Sequence, residues 1–143
     1  MYAVIRLRGT ANIRKEIMDT LDILRLNKPN HCVIVPETDI YKGMLQKAKD
    51  YITWGEIDDK TLEELVTKRA KISQAKKVDP KNIKTIIEGI KKGKLKETGI
   101  KPVFQLTPPK KGFEKKGIKK TYKQGGSLGY RESNINILLQ KMI

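Results

Sequence analysis

The chain has 143 residues, enough for one compact domain with a modest core. Its formal net charge is +15, and its sequence pI is about 9.9. That balance points to nucleic acid ahead of acidic proteins or a membrane surface; the one cysteine, Cys32, excludes an intrachain disulfide, and no apolar run approaches a membrane span.

The charge is uneven along the chain. Residues 1–57 carry nine Lys and Arg against seven acids, residues 58–107 thirteen against seven, and residues 108–143 nine against two. The first part is therefore expected to be an ordinary globular core, with basicity growing toward the C-terminus. No signal peptide is expected, because Met1–Arg8 is short and already contains arginines.

Tyr2–Leu7 reads as an inner strand, apolar on one face and partly so on the other. Asn12 is expected to cap a helix running from Ile13 to about Leu24, with Ile13, Ile17, Leu21 and Leu24 as its inward stripe. Arg14 and Lys15 then fall in the first turn. Cations there oppose the helix dipole, and a nearby phosphate would relieve that and use the free N–H groups; a solvated first turn is the plain alternative. Residues 27–30 form a turn, and His31–Pro36 a second strand, apolar on both faces. Thr38 or Asp39 caps a helix of about Ile40–Lys49, with Ile40, Met44, Leu45 and Ala48 apolar. Tyr51–Trp54 reads as a third short strand ended by Gly55. Trp54 is expected in the core rather than stacked on a base.

Asp58 or Asp59 opens a third helix, about Lys60–Ala70, and 71–78 reads as a linker. Asp79-Pro80 starts a fourth helix, which Gly93 ends. Lys101–Thr107 is a fourth strand stopped by Pro108-Pro109. The lysines between 76 and 101 fit either a second RNA face or a solvated helix surface. Ser133 or Asn134 caps a last helix with Ile135, Leu138, Leu139 and Met142 on one side. The expected fold class is α+β: a small antiparallel sheet with a β-α-β-α-β core (1–57) and helices on one face. A helical extension (58–98) follows, then a segment (99–143) with the fourth strand, a basic arm and the C-terminal helix, all in one structural domain.

The arm, residues 108–131, has seven lysines and one arginine against a single acid, Glu114. No helix or strand period survives in it. Such a segment is expected to be unable to fold alone and to stay loose until it meets RNA. Its charge suits a polyanion, and glycine lets the main chain approach phosphates closely.

Catalysis has little to work with. His31 and Cys32 are adjacent in a strand, so they point to opposite faces and make no nucleophile–base pair. No zinc spacing, phosphate loop or dinucleotide fingerprint is present. No enzyme activity, metal, cofactor or small-molecule substrate is expected. RNA-binding residues are expected in three clusters. The first is Arg8, Asn12, Arg14 and Lys15, and the second Lys28, Asn30 and His31. The third is Lys110, Lys111, Lys115, Lys116, Lys119, Lys120 and Lys123 with Gly125, Gly126 and Arg131. Lys42 is counted with them.

Several stretches resemble a known family. Leu7-Arg8-Gly9, the run from Asn30 to Asp39, Tyr41-Lys42-Gly43-Met44, Leu106–Gly112 and Gly125–Gly129 are similar to the large-subunit ribosomal protein L-thirty family, in its longer archaeal form. The eukaryotic counterpart is called L-seven; bacterial members stop near the end of the first three-stranded unit. The resemblance covers nearly the whole chain and is weaker at 71–98. It implies a partly ferredoxin-like fold and a structural, cytoplasmic component of the large ribosomal subunit. It also implies large-subunit ribosomal RNA, close to 5S rRNA, and neighbouring large-subunit ribosomal proteins as partners, with no membrane. Two rivals share some features. A free-standing RNA-binding or chaperone protein has the same charge logic. An acylphosphatase-type enzyme would use residues like Arg8 and Asn12, but its glycine-rich phosphate loop is missing here.

Overall fold

The computed structural model describes residues 1–71, 82–93 and 99–143. Strand β1 (Tyr2–Arg6) lies at the centre of a five-stranded sheet. Tyr2 and Val4 point to one side, Ala3 and Ile5 to the other, and all four are buried. A strand apolar on both faces needs both faces covered. Its neighbours β2 (His31–Val35) and β3 (Ile52–Glu56) both pair with it antiparallel, with Val4 opposite Val33 on one side and Trp54 on the other. Strand β4 (Val103–Gln105) pairs antiparallel outside β2. Strand β5 (Gly129–Tyr130), which the sequence does not announce, pairs parallel outside β3. The order is β4-β2-β1-β3-β5.

Helices α1 (Lys15–Ile23) and α2 (Asp39–Lys47) cover the face that carries Tyr2 and Val4. The helices of the β-α-β-α-β core therefore share one face, as expected. Helices α3 (Asp59–Arg69), α4 (Ile83–Lys91) and α5 (Ile135–Met142) close the other face with Leu62, Leu65, Ile86, Ile90, Leu138 and Leu139. Each fully buried side chain of this size stabilises the fold by about 1.5–3 kcal/mol relative to leaving it in water. Trp54 is buried among the first set of helices, as expected, and Phe104 and Leu106 face the second.

Four details differ from the sequence reading. Asn12 does not cap α1: it sits at φ +55°, and Arg14 occupies the capping position without a side-chain bond. The chain runs on past β1 first, because the Leu7 and Arg8 amides both reach the Tyr51 carbonyl, at 2.9 and 3.2 Å. Ile40 is exposed, because the inward stripe of α2 is Tyr41, Met44, Leu45 and Ala48, spaced i, i+3, i+4, i+7. β3 continues through Gly55, where the Glu132 carbonyl and Ile135 take the space a Cβ would need. Thr38, Asp58 and Asn134 stand at helix starts, but none makes a side-chain capping bond. Gly93 ends α4 at φ +71°, as expected. The Asp79-Pro80 helix start, all but Lys71 of the expected linker, and residues 94–98 lie outside the described residues.

Candidate nucleic-acid interface

Five strand ends meet at one end of the sheet. β1 finishes where β2 begins, since the Asn30 amide donates to the Arg6 carbonyl at 2.8 Å. β3 begins beside them, through the bonds to Tyr51. β4 ends there, and just past it the Leu106 amide donates to the Asn30 carbonyl at 3.0 Å. β5 starts there because it runs parallel to β3, with Gly129 opposite Thr53. The start of α1 joins the group: Glu16 lies 4.0 Å from Lys47, at the end of α2 just before β3. The loop bearing Arg8, Asn12, Arg14 and Lys15 and the turn bearing Lys28, Asn30 and His31 are thus brought to the same end. So are both feet of the arm, Leu106 and Gly129. Lys42 is not; it lies near the start of α2, at the far end, 3.8 Å from Asp39.

Arg6 organises this end from inside. It is fully buried, and its Nε donates to the Arg8 carbonyl at 2.8 Å while Nη1 donates to the Leu26 carbonyl at 2.6 Å. One guanidinium therefore ties together the two loops that carry the basic residues. Charged donors of this kind make the stronger hydrogen bonds. Arg8 is half-buried: it donates to the Asp50 carbonyl at 3.2 Å and lies 4.9 Å from the centre of the Tyr51 ring. Arg14, Lys15 and Lys28 are exposed. His31 is half-buried, and its pKa is lowered by burial first, then by Lys28 and Arg6. It is held neutral near pH 7, so it offers hydrogen bonding or stacking rather than charge. Lys47, at the end of α2, and Lys49, just past it, share this end; the sequence places both on one helix, where their spacing reads as ordinary solvated surface.

The arm is packed against the body. All seven of its lysines are exposed. Beneath them Phe113 and Ile118 pack on the core, and Ser127 and Leu128 are buried. Arg131 is also buried, 2% exposed, and is not available at the surface as the sequence reading expected. Its Nη1 reaches Glu114 at 2.6 Å, Nη2 donates to the Ser127 carbonyl at 2.7 Å, and Nε donates to Thr53 Oγ1 at 2.9 Å. Its guanidinium also lies 4.6 Å from the centre of the Tyr122 ring. The Ser127 hydroxyl donates to the second Glu114 oxygen. Burial pushes the Glu114 carboxyl up, but the bonds from Arg131 and Ser127 outweigh it and leave its pKa below the ordinary value. Gly126 is buried, and a Cβ there would strike the Lys120 backbone, so this glycine serves the turn itself rather than the approach of a phosphate. Gly125 is exposed at φ +88° and closes the preceding 3-10 turn. The signal for this network was available: Glu114 is the one acid among eight cations of the segment.

Among the described residues no group of His, Cys, Asp and Glu is placed to hold a metal ion. No helix of the described residues is long and apolar enough to cross a membrane.

The family model described as "Ribosomal protein L30p/L7e" matches residues 2–52, from β1 to the start of β3. "Large ribosomal subunit protein uL30" of Nanoarchaeum equitans is 50% identical over 155 aligned residues, covering 100% of this chain and 99% of the relative. Its namesake in Methanosphaera stadtmanae is 48% identical, with 100% of both chains covered. That of Methanococcus vannielii is 46% identical, with 99% of both covered. Identity at this level along the whole length, arm included, makes the chain a member of the ribosomal L30p/L7e family, the uL30 proteins.

Proposed function

We propose that this chain is a structural constituent of the large ribosomal subunit and binds large-subunit ribosomal RNA with the basic end of its sheet and its arm. Membership in the uL30 family supports the first part, and the relatives' names give no ground for an enzyme. The observation that carries the second is the gathering of Arg8, Arg14, Lys15, Lys28 and both feet of the lysine-rich arm at one end of the fold. Residues 1–57, 58–98 and 99–143 act as one unit in this reading. Ribosomal RNA is largely A-form, so the contacts run to phosphates and 2′-hydroxyls more than to base edges. Asn12 and Asn30 suit sugar and phosphate oxygens, and His31 a base or a hydroxyl. The partners are large-subunit ribosomal RNA, in the neighbourhood of 5S rRNA, and adjoining ribosomal proteins, and the place of action is the cytoplasmic large subunit.

Sedimentation of a cell extract with a high-salt wash, following this chain by mass spectrometry, tests the proposal. Retention on the large subunit after the wash is the expected result. A chain that runs free or washes off is a general polyanion binder instead.

A further inference from the structure

The arm carries a feature that RNA binding by charge alone leaves unexplained. A segment selected only for phosphate contact gains nothing from an acid, yet Glu114 is present and half-buried under the lysines. It does not face solvent as a stray charge. It accepts from Arg131 at 2.6 Å and from the Ser127 hydroxyl. Arg131 in turn reaches Thr53 on β3, and the Thr53 hydroxyl donates to the Gly129 carbonyl at 2.9 Å. Residues 114 and 131 therefore close a loop and fasten it to the sheet edge. The loop's inner bonds agree with that closure: the Lys116 amide donates to the Gly125 carbonyl at 3.2 Å, and the Leu128 amide to the Lys120 carbonyl at 3.1 Å.

We infer that Glu114 and Arg131 are positioning residues for RNA binding: the pair of half-buried Glu114 and buried Arg131 holds the arm folded before RNA arrives. This rests on the RNA-binding reading above. Arg131 touches no RNA; Glu114 takes the place a phosphate would otherwise have on its guanidinium, and keeps that cation facing inward. Lys115, Lys116, Lys119, Lys120 and Lys123 are then presented from a fixed backbone, so docking need not order the whole segment. Removing Glu114 leaves the Arg131 charge buried without its counter-ion, and removing Arg131 frees Glu114 from the sheet, so the closure depends on both.

Two measurements test the pair, and they oppose simple electrostatics. The first is hydrogen exchange on the free wild-type protein, with no RNA present. Protection of amides between 116 and 128 is expected, and free exchange across that stretch overturns the inference. The second is the affinity of Glu114→Ala for a full-length large-subunit ribosomal RNA transcript. The substitution raises net charge by one, so charge alone makes binding tighter. The latch makes it weaker, by about tenfold or more, as when a segment must be ordered on binding. Unchanged or tighter binding with the β1–β3 amides still protected contradicts the inference. If Glu114→Ala loses the core as well, wild-type exchange decides by itself. If the wild type shows no preference for that transcript over an unrelated RNA of equal length, the RNA reading fails, while the exchange experiment still reads the latch.

Discussion

The molecule has two basic surfaces built in different ways. The one around the start of α1 and the Lys28–His31 turn stands on long strands. Its loops hang from the β1–β2–β3 ladder, and buried Arg6 binds their carbonyls from below. The arm has only two residues of strand, β5, and three short 3-10 turns lie within it or just after it. Side chains join the short backbone turns there in tying it to the sheet: Arg131 alone spans Thr53, Ser127 and Glu114. Backbone ladders are redundant, so losing one bond leaves its neighbours. A side-chain hub is not, so the arm should fail at a single position such as Arg131, whereas the strands beneath the sheet end should outlast the loss of one bond.

The largest effect is expected from the core that both surfaces share. Phe104→Ala removes a fully buried ring between β4 and the second helical layer, and should destabilise the protein by about 3–5 kcal/mol. Denaturant unfolding followed at both surfaces should show one common loss; loss at only one would mean they do not share that core. Gly126→Ala separates them. Its Cβ meets the Lys120 backbone, so about 1–3 kcal/mol should be lost from the arm, with exchange in β1–β3 unchanged. Slower exchange in the arm would contradict that packing.

Acidification should also part the two regions. The folded state holds His31 below its ordinary value of 6.5, so the unfolded chain takes up that proton first. Stability from neutral His31 therefore falls as pH drops below about 6.5. Glu114 is held below its ordinary 4.5, so its contribution is whole above that value and is lost only as pH falls further, through the folded pKa. Exchange measured from pH 7 down to pH 3 should show the sheet end weakening first and the arm later. His31→Gln should remove the earlier change and leave the later one. The smallest effect concerns salt. If about eight phosphates are contacted, the log–log salt slope for RNA binding is roughly −6 to −7, and one arm lysine changed to alanine should lower its size by about one. A wild-type slope near −2 would remove the arm as a main contact.

Much of the fold was legible because strands and helices leave periodic traces. The double-sided apolar β1, the stripe of α5 and the Gly93 helix end all follow from spacing. The start of α1 was misplaced because Asn12 looks like a cap locally, while the Leu7 and Arg8 bonds to Tyr51 that move the helix are long-range. The arm defeated sequence reading for the same reason. Its packing includes one acid and one arginine 17 positions apart, a pairing that no periodicity reports. The basic clusters were found from charge, but their gathering at one end depends on sheet order, and the same order sends Lys42 to the other end.

That contrast within one chain gives the most direct test of the central claim. Lysine acetylation can be mapped by mass spectrometry on the free protein and again on purified large subunits. Lys15, Lys28 and the arm lysines should be protected in the subunit, while Lys42 stays as reactive as in the free chain. Reactive arm lysines together with a protected Lys42 would turn the molecule around and contradict the account.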